Sequence, residues 1–329
     1  MILPSRPRRR VARRLTAAGI LLLGLAGCAT PQLQALLGSD PPGLPQRVEL
    51  DAVPFYAQDE YQCGPAALAM VLEAGGKAIG PDALRPQVFV PERQGSLQVE
   101  MLAAARRNGF VAMELKPSLS DLLAEIAAGT PVVVLQNLAL DWYPVWHYAV
   151  AIGYDLKEQQ IVLRSGTDRR LEMPLSTFER TWQRSGYWAM LALPPGRFPV
   201  SVGSAEYLSA VTKLEKAGPP ESAQAAYQSA LQRWPDQFTA LMGAGNTAYR
   251  AGDFEEAERA FRRATVVFPR SVAAHNNLAQ TLADLDRHDE ALSEARTAVG
   301  LGGPLEDTSI RTLDAIVKRT GRGEQEWNK

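Results

Sequence analysis

The chain has 329 residues, a formal charge of −1 and only two cysteines. That length accommodates two domains, each large enough to bury a core. The balanced charge gives no electrostatic footprint for nucleic acid, and two cysteines exclude a disulfide-stapled scaffold.

The N-terminus carries Arg6, Arg8, Arg9, Arg10, Arg13 and Arg14 and then the apolar run from Leu15 to Leu25. The run is too short to span a bilayer and is ended by small residues, which predicts a secretory signal over 1–27. Leu25-Ala26-Gly27-Cys28 resembles the lipobox of bacterial lipoproteins. That resemblance implies cleavage before Cys28, a diacylglyceryl group on its sulfur and attachment to a membrane in the bacterial cell envelope. An ordinary signal peptide or an uncleaved anchor is the other reading. Ala29 in place of aspartate implies the outer membrane, with the chain facing the periplasm. Losing 1–27 removes those six arginines and takes the charge from −1 to −7. Residues 28–47, with Pro31, Pro41, Pro42, Gly43 and Pro45, predict a lipidated end followed by an extended linker.

The first domain is expected over 48–195. Ala66–Ala74 predicts a helix stopped by Gly75-Gly76, Ser96–Asn108 a second closed by Gly109, and Ser118–Asp121 the cap of a third that ends at Gly129. The texture then turns β-branched. Pro131–Leu135, His147–Tyr154, Gln160–Arg164, Leu171–Met173 and Gly186–Leu193 read as strands, with a short helix over Pro174–Trp182. Helices before antiparallel strands predict an α+β domain, with the helices packed on one side of the sheet.

An internal repeat follows over 204–302. Ala223, Ala257 and Ala291 are 34 residues apart, as are Ala230, Ala264 and Ala298; Gly218/Gly252, Tyr227/Phe261 and Pro235/Pro269 keep the same interval. The period resembles tetratricopeptide (TPR) repeats, which implies an all-α stack of about three helix–turn–helix units with a groove for a protein partner. The third copy has Asp286 for the turn glycine and Gly303 for the closing proline. Residues 303–329 read as a C-terminal tail.

The chemistry centres on Cys63. If Cys28 carries lipid, Cys63 has no disulfide partner, and an exported lone thiol is a liability unless its reactivity is used. Gly64-Pro65 after it predict a helix start, where free N–H groups favour a thiolate and labelling at lower pH than an ordinary thiol. Gln58 is placed to donate to an oxyanion. Of three histidines, His147 alone lies outside the repeats, opening a predicted strand. One cysteine and one histidine cannot furnish a metal shell, and no cofactor is implied. Trp142, Tyr143 and Trp146 precede the histidine, either lining a substrate cleft or facing the core.

The run Gln58–Leu68 together with the His147 strand resembles papain-like cysteine peptidases that remove double-glycine leaders from bacteriocins, and more narrowly their stand-alone lipoprotein relatives bearing TPR repeats. The resemblance implies a peptide or protein substrate, Cys63 as nucleophile, His147 as general base and acid, and Gln58 in the oxyanion hole. The family's orienting aspartate, followed by proline, falls on Ser165 followed by Gly166. Serine can accept from Nδ1–H but cannot stabilise imidazolium as a carboxylate does. Asp168 could bend back to the ring; Asp155 lies in the preceding turn. A dyad, a weaker triad and an inactive domain remain open, the last leaving a lipid-anchored binding scaffold. No Gly-rich phosphate loop of a transporter domain occurs, so a leader-peptide substrate does not follow. Hydrolysis and acyl transfer share the same first step.

Overall fold

A computed structural model describes residues 30–38, 43–57 and 62–320. Cys28 and Gln58 lie outside the described residues. In chain order the first domain contains α1 (Pro31–Gly38), β1 (Arg47–Glu49), α2 (Cys63–Ala74), α3 (Pro81–Val88), β2 (Phe89–Val90), β3 (Gly95–Ser96), α4 (Gln98–Arg107) and β4 (Val111–Glu114). It continues through α5 (Leu119–Ala127), β5 (Val132–Asn137), β6 (Trp146–Asp155), β7 (Gln160–Ser165), β8 (Asp168–Pro174), α6 (Leu175–Gln183) and β9 (Ala189–Leu193).

The main sheet runs β4-β9-β5-β6-β7-β8, every neighbour antiparallel, with β1 paired to the far half of β6. Asn137 faces Trp146 at one end of the sheet, and Asp155 faces Gln160 at the other. The first is termed the upper end; it also holds the β7–β8 turn, the last residue of β4 and the first of β9.

Alternation along the strands sends side chains to two cores. Val132, Val134, Ala149 and Ala151 join Leu122, Ile126, Phe178 and Trp182 on one face. Val133, Leu135, Tyr148, Val150 and Ile152 join Leu68, Leu72 and Met101 on the other. Helices therefore cover both faces, not one side. The sequence signal was the unbroken apolar run Val132–Leu135, and all six residues of β5 are buried, as in a strand with no solvent face. Helix α2 is buried along Gly64–Leu72, so it lies within the second core and not on its surface.

Two segments differ from the sequence reading. Pro31–Gly38, expected as extended linker, is a helix docked on the first core through Leu33 and Leu36. Its first turn is capped from outside its own sequence: the buried Glu179 carboxylate accepts from Gln32 N (2.9 Å) and Leu33 N (2.8 Å). A linker reading from proline content cannot see a cap supplied 147 positions away. Residues 306–320, expected as tail, form α13, after α7 (Ser204–Ala217), α8 (Pro220–Arg233), α9 (Phe238–Arg250), α10 (Phe254–Val267), α11 (Val272–Asp284) and α12 (His288–Leu301). Helix α13 closes the stack by burying Ile316 and pairing Arg319 with Asp284 at 2.8 Å.

The repeat alanines 223, 257, 291, 230, 264 and 298 are all fully buried. Gly243 and Gly245 admit the rings behind them: a Cβ would lie 2.3 Å from Tyr227 and 2.4 Å from Phe261. Asp286 takes the left-handed φ of 58° at the turn where Gly252 has 79°, which aspartate tolerates better than most residues. The first repeat is continuous with a core of the first domain, since Tyr207, Leu208, Val211 and Leu214 share a cluster with Met113 and Leu191. Glu125 fixes the connection by accepting from Val200 N (2.9 Å) and Ser201 N (2.8 Å).

Candidate active site

Cys63 is the first residue of α2, followed by Gly64 and Pro65 as the helix signal required. Gly64 is demanded by contact: a Cβ there would lie 2.2 Å from Ser96 Oγ, so the β3 segment can close over the helix mouth. The backbone N–H groups of Tyr148, Gly64 and Cys63 itself lie near enough to the Cys63 sulfur to favour its thiolate. The sulfur is therefore close to the start of β6. This local contact brings a helix on one face of the sheet to the first residues of β6.

His147 and Ser165 come from adjacent strands and meet at 2.8 Å through Nε2 and Oγ. The nitrogen engaged is Nε2, not the Nδ1 of the sequence reading. The ring is thus held from β7 while Nδ1 is free of that bond. Asp168 starts β8 across the turn from Ser165, is exposed, and does not replace it at the ring. Asp155 is at the opposite end of the sheet. Ser165 itself is buried.

The electrostatics depart from the helix-mouth expectation. Burial pushes the Cys63 thiol up, and its three N–H donors pull it down without overcoming that rise. Burial also lowers His147. A neutral thiol and a neutral imidazole are the forms these directions favour, which runs against the low-pH labelling expected of Cys63. The reason is that α2 starts inside the fold and not at an exposed helix end. Tyr148 follows the same rule, its phenol raised first by burial and then by Cys63.

Both groups open on a cleft of about 1040 Å³, whose walls include Ser96, Leu97, Tyr143 and Trp146. Tyr143 and Trp146 line its rim, and neither they nor the exposed Trp142 face the core. Sequence reasoning missed three supports. Ser96 packs on Gly64 with a buried, unpartnered Oγ. Asn137 Oδ1 accepts from Ala139 N (3.1 Å) and Val145 N (3.0 Å), shaping the rim loop. Arg164, buried beside Ser165, donates to the carbonyls of Asp51 (3.2 Å), Val53 (3.0 Å) and Arg169. An arginine directly after the apolar run Ile161–Leu163 was the visible sign of such a role. Among the described residues no group of three metal-ligating side chains occurs.

Comparison with known proteins agrees with this architecture. Residues 50–190 match the sequence model of the Peptidase_C39 like family, and residues 208–258 and 242–304 match that of a tetratricopeptide repeat. No curated protein matched the chain. Among solved structures, a C39-like peptidase from Bacillus anthracis is 21% identical over 45% of this chain and 98% of its own, with a TM-score of 0.39. MamA MSR-1 is 19% identical over 37% of this chain and 68% of its own, with a TM-score of 0.32. The chain combines a peptidase-like domain, similar to the C39-like family, with protein-interaction repeats of the tetratricopeptide type.

Proposed function

We propose that the chain is a lipid-anchored cysteine peptidase of the bacterial envelope, with Cys63 as nucleophile, His147 as general base and acid, Gln58 in the oxyanion hole and Ser165 orienting the imidazole. The observation that carries this is that Cys63, at the start of α2, and His147, its ring held by Ser165, open on the same cleft. In the first step the Cys63 sulfur attacks a peptide carbonyl while its proton passes to His147. The imidazolium then protonates the leaving amine, and water hydrolyses the thioester with His147 again accepting a proton. A neutral resting pair suits this concerted transfer, since no buried charge is held before substrate arrives.

Cys28 carries the acyl anchor in this reading, at the periplasmic side of the outer membrane. Among the described residues no helix is long and apolar enough to cross a membrane. The repeats recruit a protein substrate or partner, and their fusion to the peptidase core keeps that partner at a fixed distance from the cleft. The test is a thiol-directed peptide probe applied to the full chain, with the adduct mapped by mass spectrometry. An adduct on Cys63 that disappears in His147→Ala supports the peptidase; labelling no faster than a model thiol, unchanged in that variant, overturns it.

A second reading is favoured by Ser165 itself, which lacks the charge that would stabilise imidazolium. There the domain is inactive and the repeats alone bind partners. Cys63→Ala would then retain every cellular effect that removal of the repeats abolishes.

A further inference from the structure

Three features meet at the upper end of the sheet. The first is where the chain enters. Thr30 is buried, and Gln32 donates to Pro117 O (3.2 Å) and accepts from Leu119 N (2.6 Å), just beyond the upper end of β4. Ala29 alone separates Thr30 from Cys28. At roughly 3.3–3.6 Å per residue, the two residues between this docked point and a lipid on Cys28 give the tether a reach of at most about 7 Å.

The second is an exposed apolar hairpin at the same end. Trp142 is 80% exposed, Tyr143 69% and Trp146 52%, with Leu138, Leu140 and Val145 exposed beside them. The third is its stiffness. Leu138 N bonds Val145 O at 2.9 Å, Tyr143 N bonds Leu140 O at 3.1 Å, and Arg184 donates to Ala139 O at 2.8 Å. The buried Asn137 ties both arms together. Polar groups are thus invested in presenting apolar rings to the outside.

A substrate alone does not account for this. Tyr143 and Trp146 line the cleft, whereas Trp142, the most exposed, does not. Tryptophan and tyrosine on a firm projection beside an acyl anchor suit the lipid–water interface, where amphipathic rings rest at headgroup level. We propose that the upper end of the sheet is a membrane-docking face, with the Leu140–Tyr143 tip seated in the headgroup region beside the acyl chains of Cys28. The inference rests on the lipidation reading above and goes beyond it. The anchor sets residence; the hairpin sets orientation. The cleft then opens along the bilayer surface, and its substrates are polypeptides held at or emerging from that surface.

The test uses the full chain, purified from membranes and reconstituted into phosphatidylcholine vesicles with brominated acyl chains. The emission difference between it and the Trp142→Phe/Trp146→Phe variant reports the two hairpin rings, and intact mass reports the lipid on Cys28. The expected result is a difference emission that is blue-shifted and loses most of its intensity to the bromines. Difference emission untouched by bromine but quenched by acrylamide in the water overturns the docking face. If Cys28 carries lipid in that case, the anchor stands without the face. If the rings are quenched and Cys28 carries none, the face stands and the lipidation reading falls. Rings shielded only by a second copy or by added peptide also overturn the proposal.

Discussion

The two halves of the molecule use buried polar residues for opposite ends. In the repeats the buried polar groups are mostly threonines and serines bonded back to their own helix, as Thr247 bonds Gly243 O at 2.8 Å and Thr281 bonds Asn277 O at 2.7 Å. In the peptidase-like domain Arg164, Glu125 and Glu179 reach across the sequence to backbone groups of loops and helix ends. A repeat satisfies itself locally and needs only apolar faces to stack. A site assembled from α2, β3, β6 and β7 needs long-range polar ties to hold its parts in register. The lesson is that the candidate site is fastened by side chains outside Cys63, His147 and Ser165.

The largest effect should fall on the chemistry. His147→Ala is expected to reduce peptide turnover by about 10²–10⁴-fold, and Cys63→Ala to remove it, with the cooperative thermal transition retained. Turnover that survives both would place the reaction elsewhere. The pH profile sharpens this. His147 is lowered and Cys63 raised, so the state with one proton shared by the pair spans a wide range. The acid limb of kcat/KM should lie below the ordinary imidazole value, where His147 takes up a proton and can no longer act as base. The alkaline limb should lie above the ordinary thiol value. Alkylation of the substrate-free chain should likewise rise only above that of a free thiol, and a midpoint below it would reverse the assignment of burial as the dominant influence.

Next comes Glu179→Ala. It strands two N–H groups of α1, an expected loss of about 2–3 kcal/mol, measured by urea denaturation. The comparison between halves predicts that this exceeds any single polar truncation in the repeats. Gly245→Ala, which forces a Cβ against Phe261, should cost about 1–3 kcal/mol by overpacking. It probes apolar stacking and should leave peptide turnover by the cleft unaltered.

How much of this was readable beforehand follows the same division. The 34-residue spacing located the buried alanines of every repeat because each helix pair obeys a local rule. Cys63 at a helix start and Gly109 and Gly129 after helices were equally local and equally legible, with φ of 89° and 84° at the two glycines. The docking of α1, the placement of Ser96 against Gly64 and the grip of Asn137 on the rim loop were not legible. Each depends on a partner tens of residues distant or on a shape that exists only after folding. The His147 ring nitrogen at Ser165 was misread for the same reason: strand pairing brings the residues together, but the rotamer decides which nitrogen arrives.

Ser165→Ala should have a smaller effect than loss of either reacting group. Removing one hydrogen bond to a ring already confined by burial costs about 1 kcal/mol, or a kcat about fivefold to tenfold lower. KM should hardly change, because Ser165 acts through His147 and does not line the cleft. A purely structural serine would instead lower thermal stability and leave kcat intact, and Ser165→Asn, which can still accept from Nε2–H, should recover part of the loss.

The smallest effect belongs to the repeat surface. Arg259 pairs with Glu256 one turn away, with its side chain 64% exposed. Solvent screens such a pair, and holding two long side chains together offsets its attraction. Arg259→Ala is therefore expected to leave the thermal midpoint unchanged within error, in low salt and high salt alike. A loss rivalling that of Glu179→Ala would mean that local ion pairs in the repeats carry as much as the long-range caps of the first domain. The division drawn between the two halves would then fail at its most exposed point.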